Sequence, residues 1–273
     1  MSSRTSAEQG GGLVQNTCLF TSRTTDNQLA PADTRYVCLN GDYSARAAEN
    51  DTRQTVRRDG ILRNLFVYLS VAPGVGASYT ITLRRNGIPT ALQVIIAGAN
   101  QAGNNTITQI NVSRGDILTY SFVPNNNPAA SYPTVAIEFV SGTENFVMLS
   151  GYCISNMPNN QTRYLPLTGN FSGDTVEGDV QQLLSRNGTF RNLYVHLGFA
   201  PPGVGASWTF TLRITPGGDT TLQVIITGAL AVEGEDLIHA VNYNAGELCS
   251  ISAVPANLPL ANSAWWNIEF VPS

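Results

Sequence analysis

Apolar and polar positions alternate along most of the chain with a period of two. In the stretch SYTITLR, Tyr79, Ile81 and Leu83 fall on one face of an extended segment, and the residues between them are polar. This alternation is typical of a β-strand that buries one face. Short segments of this kind are separated by turn sequences such as RNG, SRGD and PGGD, and no long segment keeps a helical period. The pattern predicts an all-β protein.

The same sequence pattern occurs twice in the chain. PGVGASYTITLRRNG begins at Pro73 and returns at Pro202 as PGVGASWTFTLRITPGG, while RDGILRNLFVYL begins at Arg58 and returns at Arg186 as RNGTFRNLYVHL. The sequence therefore predicts two tandem jelly-roll β-sandwich domains related by internal duplication, because many short strands in about 130 residues fit a jelly roll best. An immunoglobulin-like sandwich is the weaker alternative, since neither copy has the Cys, Trp, Cys spacing of that fold.

The repeat also predicts how the chain is divided. Each copy ends in an IEFV strand, which begins at Ile137 in the first and at Ile268 in the second. We predict an N-terminal arm over residues 1–12, a first jelly roll over 13–140 and a second over 141–273. The arm is polar and Gly-rich, so we expect it to be flexible, and we expect the N-terminal stretch over residues 1–33 to order on a neighbouring subunit. We see no secretory signal and expect no membrane span.

Charge is scarce in this sequence. Charged residues make up 12 %, the formal net charge is −4, and all 15 basic residues are Arg. The usual charged share is about 25 %. No basic patch is visible, which argues against a nucleic-acid partner. A polar surface with few charges is less costly to bury in a protein interface. The expected partners are copies of this chain and other structural subunits.

Residues with catalytic or metal-binding chemistry are few. The two histidines, His196 and His239, have no clustered partners, and the cysteines form no C-x-x-C pair. A metal site needs such a cluster. No G-x-S-x-G segment marks an activated serine. We therefore predict no catalytic residue, no cofactor and no metal.

The cysteines leave two interpretations open. They are either small buried thiols or members of a disulfide or crosslink, within or between subunits, in an oxidising environment. Cys18 and Cys153 stand at corresponding starts of the two copies, which motivates the crosslink. The four residues are Cys18, Cys38, Cys153 and Cys249.

Two adjacent tryptophans are candidates for an interface. Trp265 and Trp266 must point to opposite faces of a strand. One of them is expected to face outward, where an exposed aromatic ring marks a protein contact or a sugar-stacking site.

The motif G-x-x-R-N-L-x-V, followed by P-G-x-G-x-S-x-T-x-T-L-R and a final IEF, spans residues 60–140 and again 188–271. It resembles jelly-roll modules, broadly tumour-necrosis-factor-like, of structural proteins in phages and large DNA viruses. Similar modules occur on bacterial spore surfaces. The resemblance implies a non-enzymatic, self-assembling structural protein of the virion, a capsid or capsid-decoration component, with a homotrimer favoured. The alternatives are a spore-surface or extracellular filament subunit and a glycan-binding module.

Overall fold

The chain folds almost entirely into β-strands. The structure, a computed structural model, describes residues 16–24, 28–42, 44–142, 145–170 and 172–273. Strands hold 61 % of the residues, and the described part of the chain contains no α-helix. The all-β prediction is confirmed. The predicted arm over residues 1–12 lies outside the described residues. The expectation that residues 1–33 order on a neighbouring subunit is corrected for Asn16–Arg23, which is a strand paired with Pro133–Ser141 of the same chain.

The first sandwich is built from eleven strands and one short 3-10 helix. The helix, η1, spans Glu49–Thr52. The strands are β1 (Asn16–Arg23), β2 (Arg35–Val37), β3 (Gly41–Asp42), β4 (Gln54–Thr55), β5 (Gly60–Leu69), β6 (Gly74–Arg85), β7 (Ile88–Gly98), β8 (Ala102–Asn105), β9 (Ile110–Val112), β10 (Ile117–Asn125) and β11 (Pro133–Ser141).

The second sandwich has ten strands and a 3-10 helix at the matching place. This helix, η2, spans Glu177–Asp179. The strands are β12 (Val147–Met157), β13 (Arg163–Leu165), β14 (Gly169–Asn170), β15 (Gln182–Leu183), β16 (Gly188–Leu197), β17 (Ser207–Thr215), β18 (Gly218–Thr227), β19 (Glu233–Tyr243), β20 (Leu248–Ala256) and β21 (Asn262–Pro272).

Each sandwich consists of two sheets. In the first they have the orders β3-β1-β11-β5-β8, with β9 also on β5, and β2-β10-β6-β7, with β4 also on β10. In the second they are β14-β12-β21-β16-β19 and β13-β20-β17-β18, with β15 also on β20. The second sandwich thus repeats the strand order of the first, with β19 in place of β8 and β9. The duplication that we infer from the sequence stays a prediction.

Strand alternation fills the two cores as expected. Tyr79, Ile81 and Leu83 are fully buried, and so are Trp208 and Phe210 in the second sandwich. Each sandwich has its own cluster of buried apolar side chains, to which both of its sheets contribute. Burial of this apolar surface is the main force that holds paired sheets together.

The division of the cores differs slightly from the predicted boundary after residue 140. Phe146, which precedes β12, packs in the first core, where its ring lies edge-on to Phe139 at 5.8 Å between centroids. The segment that begins the second copy therefore closes the core of the first.

Strand pairing gives the positions that correspond in the two sandwiches. Phe139 in β11 pairs with Cys18 in β1, and Phe270, its counterpart in the second IEFV segment, pairs with Val147 in β12. Val147 is therefore the counterpart of Cys18, which corrects the correspondence of Cys18 with Cys153 inferred from the sequence. The error arises because the segment before β12 does not match the sequence before β1.

Candidate functional site

The most elaborate polar site of the described structure lies where the two sandwiches meet. The outer face of the sheet that contains β12, β21, β16 and β19 is covered by one edge of the first sandwich. We call the two surfaces the covered face and the docked edge. The covered face is formed by Ser150, Tyr194, His196, Glu235, Trp265, Asn267 and Glu269, and the docked edge by Asn40, Arg53, Gln54, Thr55, Arg57, Arg58 and Arg114.

Glu269 is the centre of this junction. Its side chain is fully buried. The Arg58 Nε donates to both carboxylate oxygens of Glu269 at 2.9 Å, and the second guanidinium nitrogen lies 2.8 Å from Oε2. Asn192 Nδ2 donates to Oε2 at 2.7 Å, and Arg191 Nε lies at 3.5 Å. A buried carboxylate needs such partners, because desolvation of an unpaired charge costs several kcal/mol.

A second ion pair reaches the covered face beside the first. Arg57 is 3 % exposed, and its guanidinium lies 2.5 Å from Glu235 and 4.4 Å above the ring of Tyr194. Burial lowers the pKa of Arg57, and the charge of Glu235 opposes this shift. Arg114 is 3.6 Å from the same carboxylate. Two arginines of the docked edge thus share one acidic partner.

A short polar chain ties β12 to the first sandwich. Ser150 Oγ donates to Asn267 Oδ1 at 2.6 Å and accepts from Asn40 Nδ2 at 3.2 Å. Asn40 is held in turn by Gln54, whose side chain bonds its backbone N–H and C=O at 2.7 and 2.8 Å. This bidentate contact holds the backbone of Asn40 in place within the docked edge.

His196 and Trp265 form the third part of the covered face. Their rings stack at 4.0 Å between centroids with an interplanar angle of 12°, and a groove of about 560 Å³ runs past both toward Arg46 and Arg53. Burial lowers the pKa of His196, with Glu233 opposing the shift. Burial therefore favours the neutral form of the imidazole in this stack.

The tryptophan pair does point to opposite faces of β21, but neither ring lies on the surface. Trp266 is fully buried in the second core, and Trp265 is 9 % exposed because the docked edge and His196 cover it. The expectation of one outward, exposed ring is corrected in this respect. Trp265 is an aromatic of an internal interface, and one of its faces is already occupied by His196.

All four cysteines are buried. Cys18, Cys38, Cys153 and Cys249 form no disulfide with each other. Burial raises the pKa of Cys18 and raises that of Cys249 to about 12. The thiolate is the reactive form in disulfide chemistry, so this arrangement disfavours the predicted crosslinks.

The second histidine stabilises a turn. His239 Nδ1 lies 2.8 Å from Asp236 Oδ2, while Asp236 Oδ1 accepts the backbone N–H groups of Ile238 and His239. Asn105 caps the corresponding turn of the first sandwich in the same way. Within the described residues no three His, Cys, Asp or Glu side chains are grouped so that they would hold a metal ion. A helix of the length and hydropathy that membrane crossing requires is also not found among them.

Sequence reasoning did not identify Arg58 and Glu269 as functional residues. A signal was present, because the RNL and IEF segments occur in both copies and each contains part of the cluster. In the first sandwich Glu138 accepts from Arg63 Nε at 3.0 Å and Asn64 Nδ2 at 2.9 Å. Asn64 and Asn192 both have φ 54°, and each follows its arginine at a β-bulge.

The two sites therefore differ in one partner. Glu269 has Arg58 of the first sandwich as a third partner and is fully buried, whereas Glu138 has two local partners among the described residues and is 28 % exposed. The fold and this site define an all-β protein with two sandwiches joined through a buried ionic junction. Comparison with protein-family models finds no matching family, and comparison with curated proteins finds no matching relative.

Proposed function

We propose that this protein is a non-enzymatic structural protein that assembles with copies of itself, as a component of a virion capsid or of its decoration. The observation that carries the proposal is an exposed apolar surface on the first sandwich. Leu19, Phe66 and Tyr68 are 65 %, 48 % and 50 % exposed on the outer face of the β1-β11-β5 sheet. Phe66 and Tyr68 are neighbours on one face of β5, and exposed apolar side chains grouped on one face mark protein contacts.

Charged residues that line the grooves of the molecule are engaged in contacts with other protein groups. The grooves of about 530 and 560 Å³ lie along the junction, and Arg57, Glu233 and Glu235 in the first of them are paired with partners across or beside it. In the proposed function these residues join the first sandwich to the second. The virion setting is supported by the resemblance of the repeated motif to viral jelly-roll modules.

The alternative of a cysteine-crosslinked spore-surface or filament subunit has less support, because all four thiols are buried. Both proposals require self-association, but only the second requires oxidation. Sedimentation velocity and negative-stain microscopy over a wide concentration range test the common requirement. Defined oligomers that persist in reducing buffer are expected. A monomer at every concentration, with no particles on the grid, contradicts the proposed function.

A further inference from the structure

We propose that a second copy of this chain docks the edge of its second sandwich on the outer face of the first sandwich, so that chains join through the contact that joins the two halves of one chain. The proposal rests on the self-association proposed above and adds its two surfaces. The free face consists of Leu19, Phe66, Tyr68, Asn104 and Glu138. The free edge consists of Thr168, Gln182, Leu183, Ser185 and Arg186.

The free face has the construction of the covered face. Phe66 stands where Tyr194 stands in the second sandwich, since each precedes a valine in the RNL strand. Phe66 is 48 % exposed, whereas Tyr194 is 4 % exposed under the docked edge. Glu138 and Glu269 likewise occupy matching positions in β11 and β21. The first sandwich therefore leaves uncovered a surface whose counterpart is buried.

The free edge has the construction of the docked edge. Gln182 bonds the backbone N–H and C=O of Thr168 at 3.0 and 3.4 Å, as Gln54 does for Asn40. Arg186 stands at the position of Arg58, at the start of the repeated segment. It is exposed, and the described residues give its side chain no ion pair or hydrogen bond.

The differences between the two junctions are paired, which is the strongest argument for the contact. Thr55 and Tyr194 line the same groove of the internal junction, and the matching positions hold Leu183 and Phe66, both apolar and both exposed. A pair of polar side chains is thus replaced on both sides by an apolar pair. Burial of such an apolar pair stabilises a contact.

The charged residues of the internal junction also differ in pairs from the residues at the matching positions of the free edge and the free face. Arg57 and Glu235, which form an ion pair within the chain, are matched by Ser185 and Asn104. Both positions are uncharged and exposed, so neither surface would bury an unpaired charge. Arg58 and Glu269 are matched by Arg186 and Glu138, which keep their opposite charges. Glu138 Oε1 accepts no hydrogen bond from the described residues, and this is the oxygen that an incoming guanidinium would reach.

A contact of this kind is heterologous, because two different surfaces meet. Each chain has one free face and one free edge, and each junction uses one of each. The association therefore continues until a ring closes or a filament forms.

Zero-length crosslinking tests the proposed ion pair, because the chain contains no lysine. The variant Arg186→Lys introduces one side-chain amine and keeps the charge. Carbodiimide treatment of a mixture of this variant in ¹⁴N and ¹⁵N form is expected to give a denaturation-resistant product of twice the chain mass. Its mixed-isotope crosslinked peptide should join position 186 to Glu138. Arg58→Lys is the matched control, in which the amine should couple to Glu269 within one chain.

A charge reversal gives the second readout. Arg186→Glu should weaken self-association at least tenfold in sedimentation, while Arg85→Glu, which reverses an exposed arginine on the other sheet, should leave it unchanged. Far-ultraviolet circular dichroism shows that both variants are folded. If the wild type associates but Arg186→Lys couples to a residue other than Glu138, or Arg186→Glu associates as the wild type does, this contact is wrong and the proposed function stands. If the wild type is monomeric throughout, the proposed function fails first.

Discussion

Removal of the Glu269 charge should destabilise the protein far more than removal of the Glu138 charge. The two carboxylates have the same local partners, an arginine and an asparagine of the RNL segment. They differ in Arg58, which reaches Glu269 alone. Glu269→Gln and Glu138→Gln therefore form a matched pair of variants that isolates the contribution of the junction.

The expected magnitudes follow from burial. Breaking one side of a buried ion pair costs about 3–5 kcal/mol, because the other charge stays buried without compensation. Arg58 is 16 % exposed and Glu269 is fully buried, so we expect about 3 kcal/mol for Glu269→Gln. The Arg63–Glu138 pair is about 30 % exposed on both sides, and exposed pairs contribute about 0–1 kcal/mol.

Urea unfolding measures this difference. All three tryptophans lie in the second sandwich, at positions 208, 265 and 266, so their fluorescence follows that sandwich, while circular dichroism follows the whole chain. With a slope of about 1–3 kcal/mol per M, a loss of about 3 kcal/mol in Glu269→Gln should lower the fluorescence midpoint by about 1–3 M. Arg58→Ala should also lower it, although it changes no residue of the second sandwich.

The reasoning is refuted if the two glutamine variants lose the same stability, or if Arg58→Ala leaves the fluorescence transition in place. Either result would mean that the junction contributes nothing beyond the local bonds of each carboxylate. The measurements should be made at low protein concentration, so that association between chains does not add to the stability.

Three further predictions concern single features of the structure. Gly151→Ala should destabilise the second sandwich by about 1–3 kcal/mol or more, because a Cβ at this position would lie 2.2 Å from the Trp266 ring; Gly142→Ala, where nothing lies within 4 Å, is the control, and equal unfolding midpoints would contradict the packing. The pKa of His196 is lowered by burial, so the unfolded chain binds the proton more tightly and stability should fall as pH drops below about 6.5. His196→Gln should reduce that loss between pH 7 and 5, and an unchanged pH profile would show that the imidazole does not contribute. The four buried thiols should resist a maleimide in the native protein and react on unfolding; rapid labelling of any of them without unfolding would contradict their burial.

Part of this structure could be predicted from local sequence because it depends on local geometry. The alternation of Tyr79, Ile81 and Leu83 places every second side chain on one face of a strand, whatever the rest of the chain does. The turn at Gly115, with φ 94°, and the matching turn at Gly246, with φ 88°, follow from residues within a few positions. The repeat also indicates that the two halves have the same strand order.

One prediction from the local pattern was wrong because a side chain within the segment forms a turn. The alternation in the segment NTITQINVS, residues 105–113, predicts one strand, but only Asn105 at the end of β8 and Ile110–Val112 of β9 lie in strands. Asn105 causes the division, since its side-chain oxygen accepts the backbone N–H groups of Ile107 and Thr108 and so forms a turn. Asp236 makes the equivalent bonds in the second sandwich, where β19 continues through a shift of register.

The sequence alone determined that this protein is built of strands, that its pattern occurs twice, and that Glu138 and Glu269 lie in matching segments. Only the tertiary structure decided that one of these carboxylates is buried and the other accessible. The difference comes from Arg58, which is 211 residues from Glu269 along the chain. Alternation shows which face of a strand points away from its own core, but coverage of that face depends on how two folded bodies pack, and no local pattern encodes this.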